Sequence, residues 1–490
     1  MRVLLVSPAV PVTFWSFQHI LPLLGRKAAY PPLGLLTVAA MLPRAWELRL
    51  VDLNVASLAD DDLAWADYVL ISAMLVHEKS VREVLARCAP LRKPVIAGGP
   101  LFTTAHERFP EIPHFVLGEA EPVIADLIAD MEAGRVRRIY QADHKPALEA
   151  TPAPRWDLIR LKNYATMALQ FSRGCPFDCE FCDIIAMYGR TPRTKPPAQF
   201  IAELDALWAA GWRDSVFVVD DNFIGHRPKA KMLLRAIAEW QQQRKHALPL
   251  LTEASLNLAD DPELLELMVR AGFKKVFVGV ETPNESSLSE CGKAQNTRRD
   301  LVACVQRLQE AGLEVMGGFI VGFDQDRQGI FARQLRFIQE AGVVTAMVGL
   351  LTALPHTRLF ERLKQEGRLL RESSGNNVEA VLNFVPRMDR ETLVAGYRRL
   401  VRQLYAPRMY YRRALTFLAR YQPQGPAVRV SATDVRAFLR SLWLLGVRHR
   451  GRRAYWQYML QVLARYPRTF GQAMTLAITG HHFRSVAAEL

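Results

Sequence analysis

Cysteine is scarce in this sequence, with 6 among 490 residues, which excludes the disulfide framework of a small secreted domain. Long apolar runs are also lacking, since none reaches the roughly 18 residues that a membrane-spanning helix needs. The apolar run that begins at Met1 is too short for a signal peptide and is predicted to form a first strand. These absences favour a protein of the reducing cytoplasm.

Negative charge is in short supply. Lysine and arginine total 63 against 49 aspartates and glutamates, a net charge of +14, and arginine crowds the last hundred residues. Such a balance favours an anionic partner, namely nucleic acid, a phospholipid surface or a phosphorylated small molecule, although a solvated basic face explains it as well. With 50% apolar and 23% charged residues, the chain has a globular composition and the length of two to four domains.

Three of the six cysteines, Cys175, Cys179 and Cys182, form a C-x3-C-x2-C motif directly after a predicted strand at residues 167–172. Three thiolates leave a structural zinc ion one ligand short, and no fourth cysteine is near. A four-iron cluster held by three cysteines keeps one iron open for a ligand, so the spacing favours a cluster. A zinc site completed by Asp178 or a distant histidine is the alternative. The other cysteines, Cys88, Cys291 and Cys304, are predicted to be buried free thiols.

The motif, with Phe181 directly before its last cysteine, resembles the signature of the radical S-adenosylmethionine (SAM) enzymes. The resemblance implies that the three cysteines hold a [4Fe-4S] cluster, and that SAM binds the open iron and is cleaved to a 5′-deoxyadenosyl radical. It also implies an electron donor of the flavodoxin or ferredoxin type. The protein then supplies orientation and exclusion of water and oxygen.

Residues 1–145 alternate strand-like and helix-like segments, which predicts a doubly wound parallel sheet of the Rossmann-like type. Ligands of such sheets bind at the carboxyl ends of the strands. No G-x-G-x-x-G follows the first strand, so a nicotinamide or flavin site is disfavoured. Polar residues and glycines do stand at the predicted strand ends, at Ser72, Leu75, His77, Gly98, Gly99, Pro100, Gly118 and Glu119.

This domain, placed before a radical SAM core, resembles the cobalamin-binding subfamily, and the resemblance implies that the strand-end residues contact cobalamin. Many cobalamin proteins carry D-x-H-x-x-G after the first strand, but this chain has Ser7-Pro-Ala-Val-Pro there. His77 is therefore a candidate lower ligand of cobalt, and packing of Leu75 or Met74 under a ligand-free cobalt is the alternative. The stretch from Phe14 to Gly34 resembles the group that includes hopanoid C-2 methylases; its aromatic residues either line a domain interface or form ordinary core.

Residues 146–375 show six strand–helix units, which predict a partial, open (β/α)6 barrel with its active site at the carboxyl ends of the strands. The predicted strands are residues 167–172, 215–220, 250–254, 275–280, 315–321 and 345–351. The resemblance implies that Asp220 and Asp221 bind the amino group of SAM. It implies that Glu253 and Ser255 bind the ribose. The backbone of Gly318 and Val321 is expected to contact the adenine. Glu281 ends the fourth strand. Helix caps and salt bridges are the structural alternatives for the acids.

Residues 376–490 lack strand alternation and predict a basic C-terminal helical domain, with helices at 389–404, 407–420, 431–445 and 453–466. Arginine and aromatic residues interleave there, as in Tyr410-Tyr411-Arg412-Arg413. Such helices cap the open barrel, lie on a membrane surface that holds a lipid-like substrate, or bind RNA. Nucleic acid is the less favoured partner, and the predicted location is cytoplasmic with optional peripheral membrane contact.

The leading hypothesis is a cobalamin-dependent radical SAM methyltransferase that acts on an unactivated carbon of a small or lipid-like substrate. By resemblance, one SAM methylates cobalamin and a second yields the radical that activates the substrate. The sequence names no catalytic residue. A cobalamin-binding radical SAM cyclase or rearrangement enzyme, and a radical SAM enzyme that modifies tRNA, are the alternatives.

Overall fold

The structure is a computed structural model that describes residues 1–376, 379–425 and 432–490. Its first 141 residues form a six-stranded parallel sheet in the order β2-β1-β3-β4-β5-β6. The strands are β1 Arg2–Ser7, β2 Glu47–Asp52, β3 Tyr68–Ser72, β4 Val95–Gly98, β5 His114–Leu117 and β6 Ile139–Gln141. The alternation of the sequence predicts strands at residues 3–7, 48–53, 68–73, 94–97 and 114–117, which match β1 to β5, whereas β6 was not predicted.

Helices cover both faces of this sheet, and a separate apolar core lies on each side of it. They are α1 Leu21–Leu24, α2 Leu33–Met41, α3 Asp60–Trp65, α4 Glu78–Cys88, α5 Pro100–Ala105 and α6 Ile124–Glu132. Because both faces are packed, β1 reads as one apolar run, and Val3 to Val6 are all fully buried. The strand order reverses beside β1, and ligands of doubly wound sheets bind at such a point, outside the carboxyl ends of the strands.

A second six-stranded parallel sheet follows, in the order β14-β13-β12-β11-β10-β7, and it confirms the open six-unit barrel. A two-residue antiparallel ribbon of β8 and β9 stands beside the first strand, so the predicted strand at 167–172 is interrupted. The strands are β7 Met167–Leu169, β8 Ser172–Arg173, β9 Arg193–Thr194, β10 Val216–Val218, β11 Leu250–Ala254, β12 Phe273–Glu281, β13 Glu314–Val321 and β14 Ala346–Leu350.

Helices pack on the outer face of this second sheet, apart from the first, short one, which lines the cleft toward the first domain. They are α7 Ile184–Tyr188, α8 Pro197–Ala209, α9 Arg227–Gln242, α10 Pro262–Arg270, α11 Glu285–Glu290, α12 Leu301–Glu310, α13 Ile330–Ala341 and α14 Arg358–Gln365. Side chains of β10, β11 and β12 that point outward, such as Val216 and Val278, are fully buried, whereas their inward neighbours Phe217 and Phe277 are only partly buried. This alternation means that the inner face of the barrel borders open space rather than a packed core.

The C-terminal part is helical, as predicted, with α15 Arg390–Tyr405, α16 Pro407–Leu418, α17 Ala432–Ser441, a π-helical segment Leu442–Arg448, α18 Arg452–Arg465 and α19 Phe470–Glu489. Position 431, where one predicted helix begins, lies outside the described residues, and α19 was not predicted. The Tyr405 hydroxyl accepts from the Ala346 N–H (3.1 Å) and donates to its carbonyl (2.7 Å), which fixes α15 on the edge strand β14. Among the described residues, no helix is long and apolar enough to span a bilayer.

The connection between β1 and α2 lies between the barrel and the C-terminal helices. The ring of Phe14 stacks on Phe483 of α19 with 4.3 Å between centroids, and His482 Nε2 lies 3.1 Å from the carbonyl oxygens of Thr13 and Phe14. Further along, the Ala165 N–H donates to the Ala28 carbonyl (3.0 Å), just before β7. The first connection of the chain thereby becomes part of the wall of the barrel.

Candidate active site

The cysteine loop leaves the barrel at the carboxyl end of β7 and is anchored by the neighbouring strand β10. Asp220, completely buried, accepts hydrogen bonds from the Phe171 N–H (2.7 Å) and the Ser172 hydroxyl (2.6 Å). Gly174 has φ +95°, and a Cβ there would lie 2.9 Å from the Gly189 carbonyl oxygen, so only glycine fits this turn. Asp220 therefore positions the loop, and its carboxylate is already occupied by these two donors.

Polar side-chain donors lie beside two of the three thiols. The Asn222 amide N–H lies 3.7 Å from Cys175 Sγ, and the Gln295 amide N–H lies 3.8 Å from Cys179 Sγ. Burial raises the pKa of the Cys179 thiol, while the ammonium group of Lys293 lowers it. Lys293 is itself paired with Glu281, at 2.6 Å between Nζ and Oε1. Amide N–H groups and a buried cation stabilise sulfur ligands that carry negative charge.

These surroundings suit an iron–sulfur cluster better than a single ion. Among the described residues, no group of three or more His, Cys, Asp or Glu side chains converges closely enough to hold one metal ion. A cluster spreads its cysteine ligands over several irons and does not require that convergence. The alternative zinc site is disfavoured because its proposed ligand Asp178 pairs with Arg358 at 3.5 Å. Cys88, Cys291 and Cys304 are buried and free, as expected.

Two carboxylates at the mouth of the barrel lack a cationic partner. Burial raises the pKa of Asp221 to about 7 and that of Glu253 to about 8, and repulsion between the neighbouring carboxylates adds to both shifts. In the part of the chain that the structure describes, neither forms an ion pair with a basic side chain. Buried, unpaired carboxylates favour a bound cation, and SAM carries an ammonium and a sulfonium group. The pair therefore fits SAM.

The other residues that were expected at SAM are placed differently. The Ser255 hydroxyl donates to Asn257 Oδ1 (2.6 Å), and its N–H donates to Asn222 Oδ1 (3.2 Å), which links this strand end to the cysteine loop. A Cβ at Gly318 would lie 2.7 Å from the Phe277 ring, so the ring covers this glycine. The carbonyl of Val321 accepts from the Leu351 N–H. Phe181 lies 6.2 Å from Phe323 between ring centroids.

The inner face of the barrel is mainly apolar and includes two aromatic residues of the first connection. The Trp15 N–H points at Met347 Sδ of β14 (3.1 Å), and its ring meets Phe277 of β12 edge to face at 5.3 Å. Tyr30 lies 5.5 Å from Phe217 of β10, and the Glu253 carboxylate adds to burial in raising the Tyr30 pKa. All six of these side chains are only partly buried although they lie inside the fold. They therefore border a cavity below the mouth.

The carboxyl edge of the first sheet faces this mouth. Gly99 has φ +92°, and a Cβ there would lie 2.7 Å from Ser72 Oγ, whereas a Cβ at Gly118 would meet nothing within 4 Å. Pro100 begins α5 directly after this turn, and Gly98 ends β4. A cleft of about 210 Å³ lies between the two domains, lined among others by Gly118, Asp183 and His356. Bare glycine backbone beside an open cleft fits a large planar ligand such as a corrin.

His77 is not among the residues that line that cleft. It is buried, its Nδ1 accepts from the Met74 N–H (3.0 Å), and burial lowers its pKa to about 4. Its Nε2 is buried and has no partner among the described residues. Leu75 is partly buried and Met74 is half-exposed. Neither His77 nor Leu75 nor Met74 is among the residues that line the cleft, so the residue beneath the corrin stays a prediction.

Glu119 joins the two domains electrostatically. It is buried and contacts Arg173 (2.6 Å) and Arg193 (2.8 Å) of the β8–β9 ribbon, and Glu121 contacts Arg173 at 2.8 Å. Arg173 lies two residues before Cys175. Because these charges are shielded from water and satisfied by one another, Glu119 holds the first sheet against the cysteine loop.

For several residues near the site, the sequence did not predict the contact that the structure shows. Asn222, Lys293 and Gln295 reach the cysteines from separate strand-end loops, and only the folded barrel brings them together. Asn222 adjoins the Asp220-Asp221 pair, so the turn itself was found while its contact with sulfur was not. Arg173 lies two residues before the cysteine motif, but its acidic partners lie more than fifty residues earlier in the sequence.

Comparison with known families covers most of the chain. Residues 24–128 match the B12 binding domain, residues 169–332 match the radical SAM superfamily, and residues 357–490 match a domain of unknown function (DUF4070). The chain is 42% identical over 489 residues to the uncharacterized methyltransferase sll1242 of Synechocystis sp., covering 99% of this chain and 91% of that protein. It is 34% identical over 502 residues to the hopanoid C-2 methylase of Rhodopseudomonas palustris, covering 100% and 94%.

Solved structures share the fold at low sequence identity. OxsB, a cobalamin-dependent SAM radical enzyme solved with aqua-cobalamin and SAM, aligns with a TM-score of 0.65 at 15% identity, over 100% of this chain and 80% of that one. The radical SAM methyltransferase TsrM from Kitasatospora setae, solved with cobalamin and a [4Fe-4S] cluster, gives a TM-score of 0.62 at 16% identity, over 98% and 99%. At such identities the likeness concerns the fold.

Proposed function

We propose that this chain methylates an unactivated carbon of an apolar, lipid-like substrate. The proposal starts from its family: the chain belongs to the cobalamin-dependent radical SAM methyltransferases. The cofactors of the family are a [4Fe-4S] cluster, SAM and cobalamin. When bound, the cluster and SAM supply a radical that activates a substrate C–H bond, and cobalamin supplies the methyl group. The protein binds, orients and shields these reactants.

Each cofactor has a proposed set of residues. Cys175, Cys179 and Cys182 hold the cluster, with Asn222 and Gln295 donating to the sulfurs. Asp221 and Glu253 bind the cationic groups of SAM. The edge of the first sheet, from Ser72 and Leu75 to Gly98–Pro100 and Gly118, receives the corrin. Asp220, Glu119 and Glu281 position loops through their own hydrogen bonds and ion pairs.

The observation that carries the substrate class is the apolar inner face of the barrel. Trp15, Phe217, Phe277 and Met347 present partly buried apolar surface to the cavity below the mouth. Burying apolar substrate surface against such walls contributes about 25 cal/mol per Å². The Tyr30 hydroxyl and the Glu253 carboxylate are polar groups on this wall, so a substrate that is apolar along most of its length fits best.

Water exclusion follows from the same arrangement. The first connection fills the open side of the barrel, and the Glu119 ion pairs hold the cobalamin-binding sheet over its mouth. A substrate held between the two strand edges lies close to both reaction partners, and proximity of this kind lowers the barrier without any acid or base. A reducing donor of the flavodoxin or ferredoxin type is required, since SAM cleavage consumes an electron.

The test is anaerobic reconstitution with iron, sulfide and cobalamin, followed by incubation with methyl-deuterated SAM, a reductant and lipid extracts from the host. We expect a lipid product heavier by one labelled methyl group, with 5′-deoxyadenosine formed in step with it. The Cys175→Ala protein serves as the matched negative control.

Other outcomes would separate the alternatives. A substrate consumed without incorporation of label would indicate the cyclase or rearrangement chemistry. Label that enters transfer RNA and no lipid would contradict the apolar substrate. An absence of 5′-deoxyadenosine from cluster-loaded protein would contradict the proposal at its first step.

A further inference from the structure

The C-terminal helices expose an amphipathic, cationic surface, and we propose that it docks the enzyme onto anionic lipid bilayers. The surface is formed by α17, the π-helical segment and α18, residues 435–468 of the chain, and is called the docking surface below. It goes beyond the proposed chemistry and rests on the proposed function in one respect only, the apolar nature of the substrate.

Exposed apolar side chains concentrate on the docking surface. Half of the large hydrophobic residues that are exposed among the described residues lie there, with Trp443 and Leu460 each 65% exposed. They form two rows at helical spacing: Val435, Leu439, Trp443 and Val447 in the first, and Trp456, Leu460 and Leu463 in the second. Single exposed hydrophobic residues are ordinary, but rows of them mark an interaction site.

The two rows lie beside each other. The Trp456 N–H of α18 donates to the Gly446 carbonyl of the π-helical segment (2.9 Å), and a Cβ at position 446 would lie 2.9 Å from the Trp456 ring. Gly446 thus permits the close contact that joins the rows. Tryptophan with one polar edge is enriched at the level of lipid headgroups, which suits Trp443 and Trp456.

The charge of this region has one sign. From residue 435 to residue 488 the sequence contains no Asp, Glu or Lys, and its arginines are Arg436, Arg440, Arg448, Arg450, Arg452, Arg453, Arg465, Arg468 and Arg484. All except Arg484 are exposed. Apolar rows flanked by arginine are typical of helices that lie in a membrane interface and prefer anionic lipid.

A further arginine lies beneath the docking surface. Arg484 of α19 is buried and forms no ion pair with an acidic side chain among the described residues. Its guanidinium lies 5.4 Å from the ring centroids of both Tyr410 and Tyr411. This unpaired cation adds to the positive charge at this end of the molecule, which favours a phosphate-bearing surface.

The docking surface also connects to the substrate cavity. Arg440 of α17 donates to the carbonyls of Pro22 (3.0 Å) and Leu23 (3.2 Å) in α1. Ala437 of α17 and Ile478 of α19 pack with Ile20. The same connection carries Trp15 and Tyr30 into the barrel. A bilayer bound at the docking surface would present an apolar substrate next to the segment that lines the cavity.

The test uses cluster-loaded, cobalamin-loaded protein and sedimentation with vesicles of phosphatidylcholine alone or mixed with phosphatidylglycerol. We expect binding to the mixed vesicles that weakens as salt rises. Replacing Arg448, Arg452 and Arg453 with Gln is expected to weaken it about 100-fold, because each arginine near an anionic surface contributes roughly a fivefold factor. The triple change Leu439→Ser, Trp443→Ser and Leu460→Ser is expected to abolish it.

A matched control replaces three exposed hydrophobic residues outside this surface, Leu91, Met232 and Leu370, with Ser; its vesicle binding is expected to match the unmodified protein. Formation of 5′-deoxyadenosine reports on the cofactor site, so a variant that keeps it while losing vesicles separates docking from catalysis. Equal binding to neutral and anionic vesicles, or salt-sensitive binding of transfer RNA with no vesicle binding, would overturn the proposal.

Discussion

The two parallel sheets of this protein share strand number and direction but offer ligands different places. The first sheet is packed by helices on both faces, so a ligand finds room only outside the carboxyl ends of its strands. The second sheet is packed on its outer face alone, and its inner face borders a cavity. Side-chain burial shows this difference between the two sheets. In β1 of the first sheet, Val3 to Val6 are all fully buried, whereas in β11 of the second sheet buried and partly buried residues alternate. The first sheet can hold a cofactor at its edge, and the second can hold a cofactor at its edge and a substrate inside.

The largest expected effect tests whether the two edges work separately. Cys179→Ala removes one of the three predicted cluster ligands. Because SAM cleavage requires the cluster, the iron and sulfide content and the formation of 5′-deoxyadenosine are expected to fall to background. Cobalamin retention is expected to stay unchanged, because the first sheet is intact. Iron analysis and the visible spectrum of the anaerobic protein measure both. Cys304→Ala, at a buried thiol of α12, should keep the cluster; its loss there would contradict the assignment.

The converse change alters the carboxyl edge of the first sheet and tests cobalamin binding there. Gly99→Ala places a Cβ 2.7 Å from Ser72 Oγ at φ +92° and ψ 179°, a conformation that costs other residues about 1–3 kcal/mol. We expect cobalamin affinity to fall about 10- to 100-fold while cluster content is kept, as measured by spectral titration. Gly134→Ala is the matched control, since Gly134 also has positive φ but nothing lies within 4 Å of its Cβ position. Equal losses in both variants would mean that general strain is responsible.

A smaller effect tests the cation site at the mouth of the barrel. Because burial raises the pKa of Glu253 to about 8, SAM must displace a proton from it at neutral pH. We expect SAM affinity to increase about tenfold between pH 7 and pH 9 in the cluster-loaded protein, as each pKa unit corresponds to a factor of ten. In Glu253→Gln this increase should disappear, as measured by equilibrium binding. A pH profile that is the same in both proteins would contradict the assignment.

The same raised pKa has a consequence for stability without SAM. Between about pH 5 and pH 8 the folded protein keeps the Glu253 proton that the unfolded chain has already lost, so stability falls as pH rises through that window. Glu253→Gln should reduce this fall, and denaturant titration of the SAM-free protein at several pH values measures it.

The smallest effect tests the interior of the barrel. Trp15→Ala removes the contacts with Phe277 and Met347, and we expect KM for an apolar substrate to rise about fivefold, which corresponds to about 1 kcal/mol. SAM cleavage should change little, because Trp15 does not belong to the mouth. Trp208→Ala, in the helical layer outside the barrel, is the control. A change in kcat with unaltered KM would contradict a role of Trp15 in the substrate wall.

The sequence predicted local features well. Each predicted strand of the barrel overlaps an observed one, because buried parallel strands form apolar runs between glycine-bearing turns. The cysteine motif was recognisable because its residues are adjacent in sequence. The strand β6 was missed since it has three residues, two of them exposed. Helix α19 was missed because it is buried almost all round and has no amphipathic period.

Roles that depend on distant partners could not be predicted. Asp220, Asp221 and Glu253 looked alike as acids at strand ends, but Asp220 is occupied by the backbone of a neighbouring strand while the other two remain without a cation. Glu119 was expected at cobalamin, yet arginines far along the chain bind it. Trp15 and Tyr30 belong to the first connection, whose aromatic residues were predicted either to line a domain interface or to form ordinary core; the contacts with Phe277 and Phe217 decide for the interface. Tertiary contact, rather than local pattern, decides these cases.

The stacking of Phe14 on Phe483 has a consequence for how the molecule is made. On the ribosome, the segment that carries Trp15 emerges long before the helix that holds it in place. Domains generally fold as they are synthesised, the amino-terminal one first. The wall of the substrate cavity is therefore complete only after α19 has been synthesised, whereas the residues of both cofactor edges are translated earlier.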